Sequence, residues 1–120
     1  MEKELSKNLI VSLSFEFALE IIEYCELLEE KRKYVISNQL LKSGTSIGAN
    51  VKEAQNAESK ADFIHKLKIA LKESNETEYW LELLKESNLI NEVDCQELIL
   101  LNKELIKLLI SSINTLRAKT

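Results

Sequence analysis

Proline is absent from this 120-residue chain, and glycine occurs only twice, at Gly44 and Gly48. Architectures built from many short strands need these residues at their turns, so a β-sandwich or a β-barrel is disfavoured. Long uninterrupted helices require few of them, because proline breaks a helix and glycine weakens it. The scarcity of turn residues therefore favours an all-α protein.

Histidine and cysteine are also scarce, which limits the chemistry that the chain can support. The single histidine, His65, follows Asp62 at the spacing of half a di-iron carboxylate site, but no second Glu-x-x-His pair exists. Cys25 and Cys95 match no zinc motif, and their apolar surroundings predict small buried thiols that stay reduced. No nucleophile elbow or phosphate-binding loop is present in the sequence. We therefore predict a non-enzymatic protein with no catalytic residues, no metal and no cofactor.

Long apolar runs are missing as well. No stretch approaches the roughly 20 apolar residues of a membrane span. The first residues are polar and of mixed charge, unlike a signal peptide. These features predict a cytoplasmic protein that has no membrane partner.

Apolar residues recur at steps of three and four in four segments, which is the pattern of amphipathic helices. The predicted helices cover about residues 6–30, 34–57, 60–87 and 92–117. The connections between them are short, so the sequence predicts one domain, residues 1–120. Its fold is predicted to be an antiparallel up-and-down four-helix bundle.

Residues at the predicted helix ends support these boundaries. Ser59 and Asp62 have the spacing of a capping box at the start of the third helix, with Asp in place of Glu. Asn88 is suited to the left-handed conformation that ends a helix, and Asn91 to capping the fourth helix. The basic triplet at residues 31–33 is predicted to form the first turn.

The middle of the second helix is unusual, because residues 43–50 are almost all small or polar. Such residues form helices poorly, and each glycine costs about 1 kcal/mol relative to alanine. A break into two helices is one alternative. We predict a single helix, because the apolar phase continues across the segment and the small residues would let a neighbouring backbone approach closely.

The first and fourth helices each carry a second apolar stripe beside the first. A bundle helix needs about three apolar positions per heptad, and both helices exceed this. One explanation is a thick core with partly buried flanks. The other is a surface for self-association, since monomers seldom expose large apolar patches. We predict a homo-oligomer.

Positive charge is concentrated in the middle of an otherwise acidic chain whose formal net charge is -4. Between residues 31 and 72 there are nine basic and three acidic residues. Such a segment suggests phosphate contacts with RNA or DNA, although lysines often only solvate helix faces and net acidity argues against a nucleic-acid binder. The candidate contacts are Lys31, Arg32, Lys33, Lys42, Lys52, Lys60, Lys66, Lys68 and Lys72.

Four short stretches, residues 45–54, 59–63, 69–71 and 76–78, resemble the bacterial four helix bundle protein family, also called the 23S rRNA intervening-sequence protein family. That family's pattern reads roughly V-S-I-P-S-N-I-A-E-G, then S-K-K-D-F, I-A-L-G-S and E-L-E. The motif positions of interest are Ser46, Asn50, Glu53, Asp62, Phe63, Glu76 and Glu78. Here Gly48 replaces the family proline, Ala54 a glycine, and Lys72 with Glu73 a glycine-serine pair.

The resemblance implies an antiparallel four-helix bundle that assembles as a homopentamer and has no enzymatic activity. The chain is also similar to the accessory protein of diversity-generating retroelements, which binds nucleic acid and a reverse transcriptase. No motif residue is assigned a catalytic role. Ser46, Asn50 and Glu53 are expected on one face of the second helix, Asp62 as a cap, and Glu76 and Glu78 against a subunit partner. The alternative function is a protein-interaction module that has no nucleic-acid role.

Overall fold

The computed structural model describes residues 2–87 and 92–118, with the side chains of residues 9–87 and 93–118. Four α-helices make up this part of the chain: α1 (Glu2–Glu30), α2 (Tyr34–Ala54), α3 (Lys60–Ser87) and α4 (Glu92–Ala118). Each helix packs against the next, and α4 returns to α1 to close the bundle, which measures 48 × 22 × 19 Å. The predicted all-α, antiparallel up-and-down four-helix bundle is confirmed.

The helix boundaries differ from the predicted ones at three places, and at one of them α4 only extends one residue further, to Ala118. α1 begins at Glu2, four residues before the predicted start, because the sequence there contains no residue that breaks a helix. α2 ends at Ala54 instead of residue 57. Beyond it, the amides of Gln55, Asn56 and Ala57 each bond the carbonyl three residues earlier, so the last turn tightens. Residues 55–57 therefore form a turn instead of a further turn of α-helix.

The turn between α1 and α2 is closed by a Schellman motif. Arg32 adopts the left-handed conformation with a φ of 61°, and its amide donates to the Glu29 carbonyl at 2.9 Å. The amide of Lys33 donates to the Leu28 carbonyl at 2.8 Å. These two bonds satisfy carbonyls that the end of a helix leaves unpaired. The prediction that the basic triplet forms the first turn is confirmed.

The start of α3 carries the predicted cap. The Asp62 amide donates to Ser59 Oγ at 3.0 Å, and the Asp62 carboxylate accepts a hydrogen bond from the Glu58 amide at 3.3 Å. The first bond satisfies an amide of the first helical turn, as in a capping box, whereas the carboxylate bonds the amide one residue before the cap instead of the amide of Ser59 itself. Asn88 and Asn91, the predicted residues at the next helix ends, lie outside the described residues.

The core runs the length of the bundle and takes large side chains from every helix, including Phe17, Leu40, Leu81 and Leu105, all fully buried. The thiols of Cys25 and Cys95 are buried and form no disulfide, as the apolar surroundings predict. Cys95 Sγ donates to the Leu81 carbonyl at 3.1 Å and so connects α4 to α3.

α2 is one continuous helix through residues 43–50, as predicted. A Cβ atom at Gly44 would lie 2.9 Å from Cγ1 and Cγ2 of Ile21, and one at Gly48 would lie 3.1 Å from the Ser14 carbonyl oxygen. The two glycines therefore let α1 approach α2 more closely than other residues would allow. Hydroxyls in this stretch bond carbonyls one turn earlier, as Thr45 Oγ1 does to Leu41 at 2.7 Å.

In the part of the chain that the structure describes, no helix has a stretch both long and apolar enough to cross a membrane.

Candidate nucleic-acid interface

The nine basic residues suggested as phosphate contacts lie in two separate places. The triplet at residues 31–33 forms the turn at one end of the bundle. The remaining six lie on α2 and α3: Lys42, Lys52, Lys60, Lys66, Lys68 and Lys72. Because a helix of 21 residues spans about 30 Å, the triplet is roughly that far from Lys60 at the start of α3. One contiguous sequence segment therefore does not form one contiguous surface.

The lysines on α2 and α3 differ in how free their ammonium groups are. Lys66 Nζ forms a salt bridge with Glu53 Oε2 at 3.2 Å, and among the described lysines of these helices it is the only one that does. Lys52 and Lys60 are exposed on either side of the turn between the helices. Lys68 and Lys72 are exposed one helical turn apart on α3. These four side chains can reach a ligand without breaking an ion pair.

Glu73 introduces negative charge beside this group. Burial raises the pKa of the Glu73 carboxyl, the charge of Glu76 raises it further, and the positive charges of Lys72 and Lys42 lower it. Lys42 and Lys72 thus lie close enough to Glu73 to be partly neutralised by it. Lys52 and Lys60 lie beside the α2–α3 turn, which also carries Glu58 and Asp62.

The family-motif residues of α2 share one face of the helix. Ser46 Oγ donates to the Lys42 carbonyl at 2.6 Å, and Asn50 Nδ2 donates to the Ser46 carbonyl at 2.8 Å. Glu53 continues the same face and reaches α3 through its salt bridge with Lys66. These polar groups are largely used within the bundle, so the face stabilises α2 and its contact with α3.

The motif residues of α3 do not form one site. Asp62 caps the helix, and Phe63 packs half-buried against the core. Glu76 is exposed, whereas Glu78 is half-buried. Residues two apart on a helix point to different sides, so Glu76 and Glu78 cannot both contact the same partner surface.

A buried polar layer crosses the middle of the bundle, and the sequence reasoning did not identify it. Ser74 Oγ donates to Asn102 Oδ1 at 2.6 Å, and Asn102 Nδ2 donates to the Ser74 carbonyl at 2.9 Å. Thr77 Oγ1 lies 2.9 Å from Ser43 Oγ, to which it donates. The sequence contains one indication of this layer. Asn102 lies three residues after Ile99 and four before Ile106, so it occupies a position of the apolar stripe of α4.

The second apolar stripes of α1 and α4 differ in how far their side chains are buried. On α4 the stripe is mostly core, since Cys95, Ile99, Leu109 and Ile113 are buried. On α1, Phe15 and Ile22 of the predicted second stripe remain open to solvent, at 63% and 41% exposure. Leu19, which shares their face but was not part of that stripe, is 51% exposed. We call these three residues the α1 stripe.

α1 and α4 pack together less extensively than the other neighbouring helices, and a crevice of about 160 Å³ opens between them. It is lined by Glu20, Glu23, Tyr24, Leu27, Asp94, Glu97 and Leu98. The buried hydroxyl of Tyr24 lies beside the Cys95 thiol. Burial raises the pKa of Glu20, and the charges of Glu97, Glu23 and Glu16 raise it further. We call this the acidic crevice.

Among the described residues, no group of three or more His, Cys, Asp or Glu side chains is arranged to hold a metal ion. His65 is exposed on α3. The described surface therefore offers positive charge, a polar helix face, an apolar stripe and an acidic crevice.

Comparisons with known proteins place this geometry in context. The family model of 23S rRNA-intervening sequence proteins matches residues 6–111. A solved structure from Bacteroides thetaiotaomicron, described as a protein with unknown function from the S23 ribosomal protein family, is 48% identical. The match covers 91% of this chain and 98% of that chain, with a TM-score of 0.87. No curated protein matches the chain.

Proposed function

The chain belongs to the 23S rRNA-intervening sequence protein family, and on this premise we propose that it is a non-enzymatic, self-associating bundle that binds structured RNA. The contacts are made by the exposed lysines near the α2–α3 turn. The observation that carries the proposal is the group Lys52, Lys60, Lys68 and Lys72, which is exposed and makes no salt bridge within the described chain. A bundle of this kind would contact phosphates without reading bases, so binding would depend on charge and RNA shape.

Salt dependence tests the RNA proposal. Each phosphate contact contributes a slope of about -0.7 to -0.9 to a plot of log affinity against log salt concentration. Filter binding of a structured RNA to the full chain should therefore weaken steeply as salt increases. Binding that does not respond to salt, or no binding at low salt, would contradict the proposal.

A matched pair of variants localises the contact. Lys68→Ala with Lys72→Ala removes two exposed lysines one turn apart on α3, and Lys103→Ala with Lys107→Ala removes the same arrangement from α4. The α3 double variant should bind RNA more weakly, and its slope of log affinity against log salt concentration should be shallower by the contribution of about 2 phosphate contacts. The α4 double variant should change neither the affinity nor the slope. Equal losses in both variants would show that net charge alone governs binding.

Self-association is supported by the α1 stripe. Three large apolar side chains on one helix face, each more than two-fifths exposed, are the kind of patch that proteins cover at interfaces. The resemblance described above implies a homopentamer, which would require a heterologous contact between two different surfaces of neighbouring copies. We propose that the α1 stripe supplies one of these two surfaces.

Light scattering of two double variants tests this surface. Phe15→Ser with Ile22→Ser should lower the molecular mass in solution, because it removes apolar area from the contact. Leu100→Ser with Ile110→Ser makes a matched change on α4, where the exposures are 55% and 43%, and should leave the mass unchanged. If only the α4 variant dissociates, or if the unaltered chain is a monomer, the assignment is wrong.

The alternative is a protein-interaction module that has no nucleic-acid role, and the same α1 stripe favours it. A partner that remains bound after nuclease treatment and is lost with Phe15→Ser would support this function. In that case the lysine variants on α3 should have no effect on the interaction.

A further inference from the structure

We propose that the seam between α1 and α4 is a docking groove for a basic amphipathic helix of a partner protein. Two depressions lie along this seam, one of about 310 Å³ and the acidic crevice of about 160 Å³. Glu20 lines both of them, so they form one continuous groove, which we call the α1–α4 groove. It lies where the contact between neighbouring helices is least extensive.

Apolar side chains line both depressions of the α1–α4 groove. They are Leu13, Phe17, Leu19 and Leu101 in the larger depression, and Leu27 and Leu98 in the acidic crevice. Leu19 is 51% exposed and Leu27 is 39% exposed, so part of this apolar surface is in contact with water. A partner that covers it with apolar side chains would gain free energy, because apolar area is removed from water.

Carboxylates border the groove on both sides, and they determine the charge of the partner. Glu16, Glu20 and Glu23 lie on the α1 side, and Asp94 and Glu97 lie on the α4 side. Among the described residues that line the two depressions there is no lysine or arginine. A helix with basic side chains along both edges of its apolar face would therefore meet opposite charge on each side.

Glu20 shows that the groove has no counter-charge of its own. Partial burial raises the pKa of Glu20, and the charges of Glu97, Glu23 and Glu16 raise it further. An ammonium or guanidinium group beside Glu20 would oppose this effect, since an opposite charge favours the ionised carboxylate. The cation that the groove requires must therefore come from outside the described chain.

The shape of the groove suits a helix better than an extended segment. Its walls are two antiparallel helices, and α1 provides an edge of about 21 Å between Leu13 and Leu27. An amphipathic helix of about 14 residues covers this length and places apolar residues at steps of three and four against the floor. An extended segment would find no strand edge in the groove with which to pair its backbone groups.

RNA binding and self-association do not depend on this groove. The lysines proposed to contact RNA lie on α2 and α3, whereas the groove lies between α1 and α4. The α1 stripe meets the groove only at Leu19. Loss of peptide binding would therefore leave RNA binding in place, and the reverse also holds.

Binding of a synthetic peptide tests the docking groove. The probe is a fluorescently labelled helical peptide of about 14 residues, built from leucine and lysine with the leucines along one face. Fluorescence anisotropy should show saturable binding to the full chain, and the affinity should fall as salt increases. A peptide with glutamate in place of lysine should bind at least about tenfold more weakly, because like charges then meet along both edges. Equal binding of both peptides, or no saturable binding of the lysine peptide, overturns the proposal.

Removal of one carboxylate from each edge locates the charge contact. Glu16→Gln with Glu97→Gln removes two exposed acids from the groove and should weaken binding of the lysine peptide by about three- to tenfold. Glu82→Gln with Glu86→Gln is the matched control, because it removes two exposed acids from α3. It should change the affinity by less than about twofold. Equal weakening in the two double variants would show that net charge alone attracts the peptide, and the groove would lose its assignment.

A substitution of leucine tests the apolar contact separately. Leu27→Ser should weaken binding of the lysine peptide by about fivefold, because less apolar area is covered in the complex. Leu83→Ser makes the same change on α3, where the leucine is 41% exposed, and should leave the affinity unchanged. Circular dichroism confirms that the helices of each variant are intact. The same affinity for both variants would contradict an apolar contact in the groove.

Hydrogen exchange locates the peptide on the folded chain. The bound peptide should slow amide exchange in α1 and α4, because it holds together the pair of helices with the least extensive contact. Protection confined to α2 and α3 would place the peptide elsewhere and overturn the proposal. Light scattering provides the last control: a peptide that lowers the molecular mass of the chain competes with a second copy for the groove, which would assign the groove to self-association instead.

Discussion

At the scale of single residues, Gly44 has the strictest requirement in the bundle. The position where its Cβ would stand is 2.9 Å from two side-chain carbons of Ile21, which is fully buried. Both carbons belong to the branch point of a β-branched side chain, so they cannot move aside by rotating a distant bond. The close approach of α1 and α2 therefore depends on the hydrogen atom at this position.

We expect Gly44→Ala to destabilise the protein by about 1–2 kcal/mol. Alanine would gain about 1 kcal/mol of helix propensity, but overpacking against Ile21 costs more. Urea unfolding followed by circular dichroism measures the change.

The same substitution made in an Ile21→Ala background provides the control. There the added methyl group enters space that the shortened side chain has vacated, so Gly44→Ala should become stabilising. An equal loss of stability in both backgrounds would show that the contact with Ile21 is not the cause.

Much of this residue-level detail follows from the sequence. Small residues at 43–50 predicted a close backbone approach, and the position of Asp62 predicted a cap; both are confirmed. The partner of Gly44 was not predictable, because periodicity identifies which face of α1 is apolar but not how far α1 is shifted along α2. That shift is fixed by packing of the whole bundle.

At the scale of helices, the pairing of α3 with α4 is specified by the polar contact between Ser74 and Asn102. Both side chains are fully buried, and each satisfies a polar group of the other helix. Sliding one helix past the other would leave these groups buried and unpaired. The contact therefore selects one alignment of α3 on α4, as a single buried asparagine does in coiled coils.

Ser74→Ala should lower the free energy of unfolding by about 1–3 kcal/mol, because it leaves the side-chain oxygen Oδ1 of Asn102 buried without its donor. Ser43→Ala is the comparison: Thr77 keeps its second acceptor, the Glu73 carbonyl at 2.8 Å. The loss there should be below about 1 kcal/mol. Chemical denaturation of both variants ranks them, and a reversed order would contradict the role given to Asn102.

The helices themselves were predictable, but this polar layer was not. Steps of three and four between apolar residues define each helix without knowledge of its neighbours. A buried serine or asparagine is recognised only through its partner, and Ser74 and Asn102 are 28 residues apart on different helices. Nothing in the local sequence of either residue identifies the other.

At the scale of the whole molecule, the distribution of charge governs the response to pH. Burial and neighbouring acids raise the pKa values of Glu20 and Glu73 above the ordinary 4.5. The folded state therefore binds more protons than the unfolded state in the range between the ordinary and the raised values. Protons favour the state that binds more of them, so these two groups add stability as the pH falls from neutral through their raised pKa values.

We expect the free energy of unfolding to rise as the pH is lowered from neutral through the raised pKa values, and the rise to stop below the ordinary value of 4.5, where both carboxyls are protonated in the folded and the unfolded state. Glu20→Gln should flatten this dependence, and Glu26→Gln, which removes an exposed acid from the same helix, should not. Urea titrations at a series of pH values measure it. A stability that falls steadily over the same range would show that other groups dominate.

The division of the basic residues also belongs to this scale. Residues 31–72 are continuous in sequence, but α2 carries the chain from one end of the bundle to the other within that segment. A count of charges along a sequence cannot reveal this separation, because it does not show how far apart two residues of one segment lie in the folded chain. In the structure the nine basic residues therefore form two separate sets: the triplet in the turn between α1 and α2, and the lysines on α2 and α3.

The contact between α1 and α4 is the least extensive of the four that close the bundle. The other three pairs of neighbouring helices pack together more extensively. The α1–α4 contact can therefore open while the glycine contacts between α1 and α2 and the Ser74–Asn102 pair between α3 and α4 remain intact. Local opening of the bundle should accordingly begin where α1 meets α4 and leave α2 and α3 packed together.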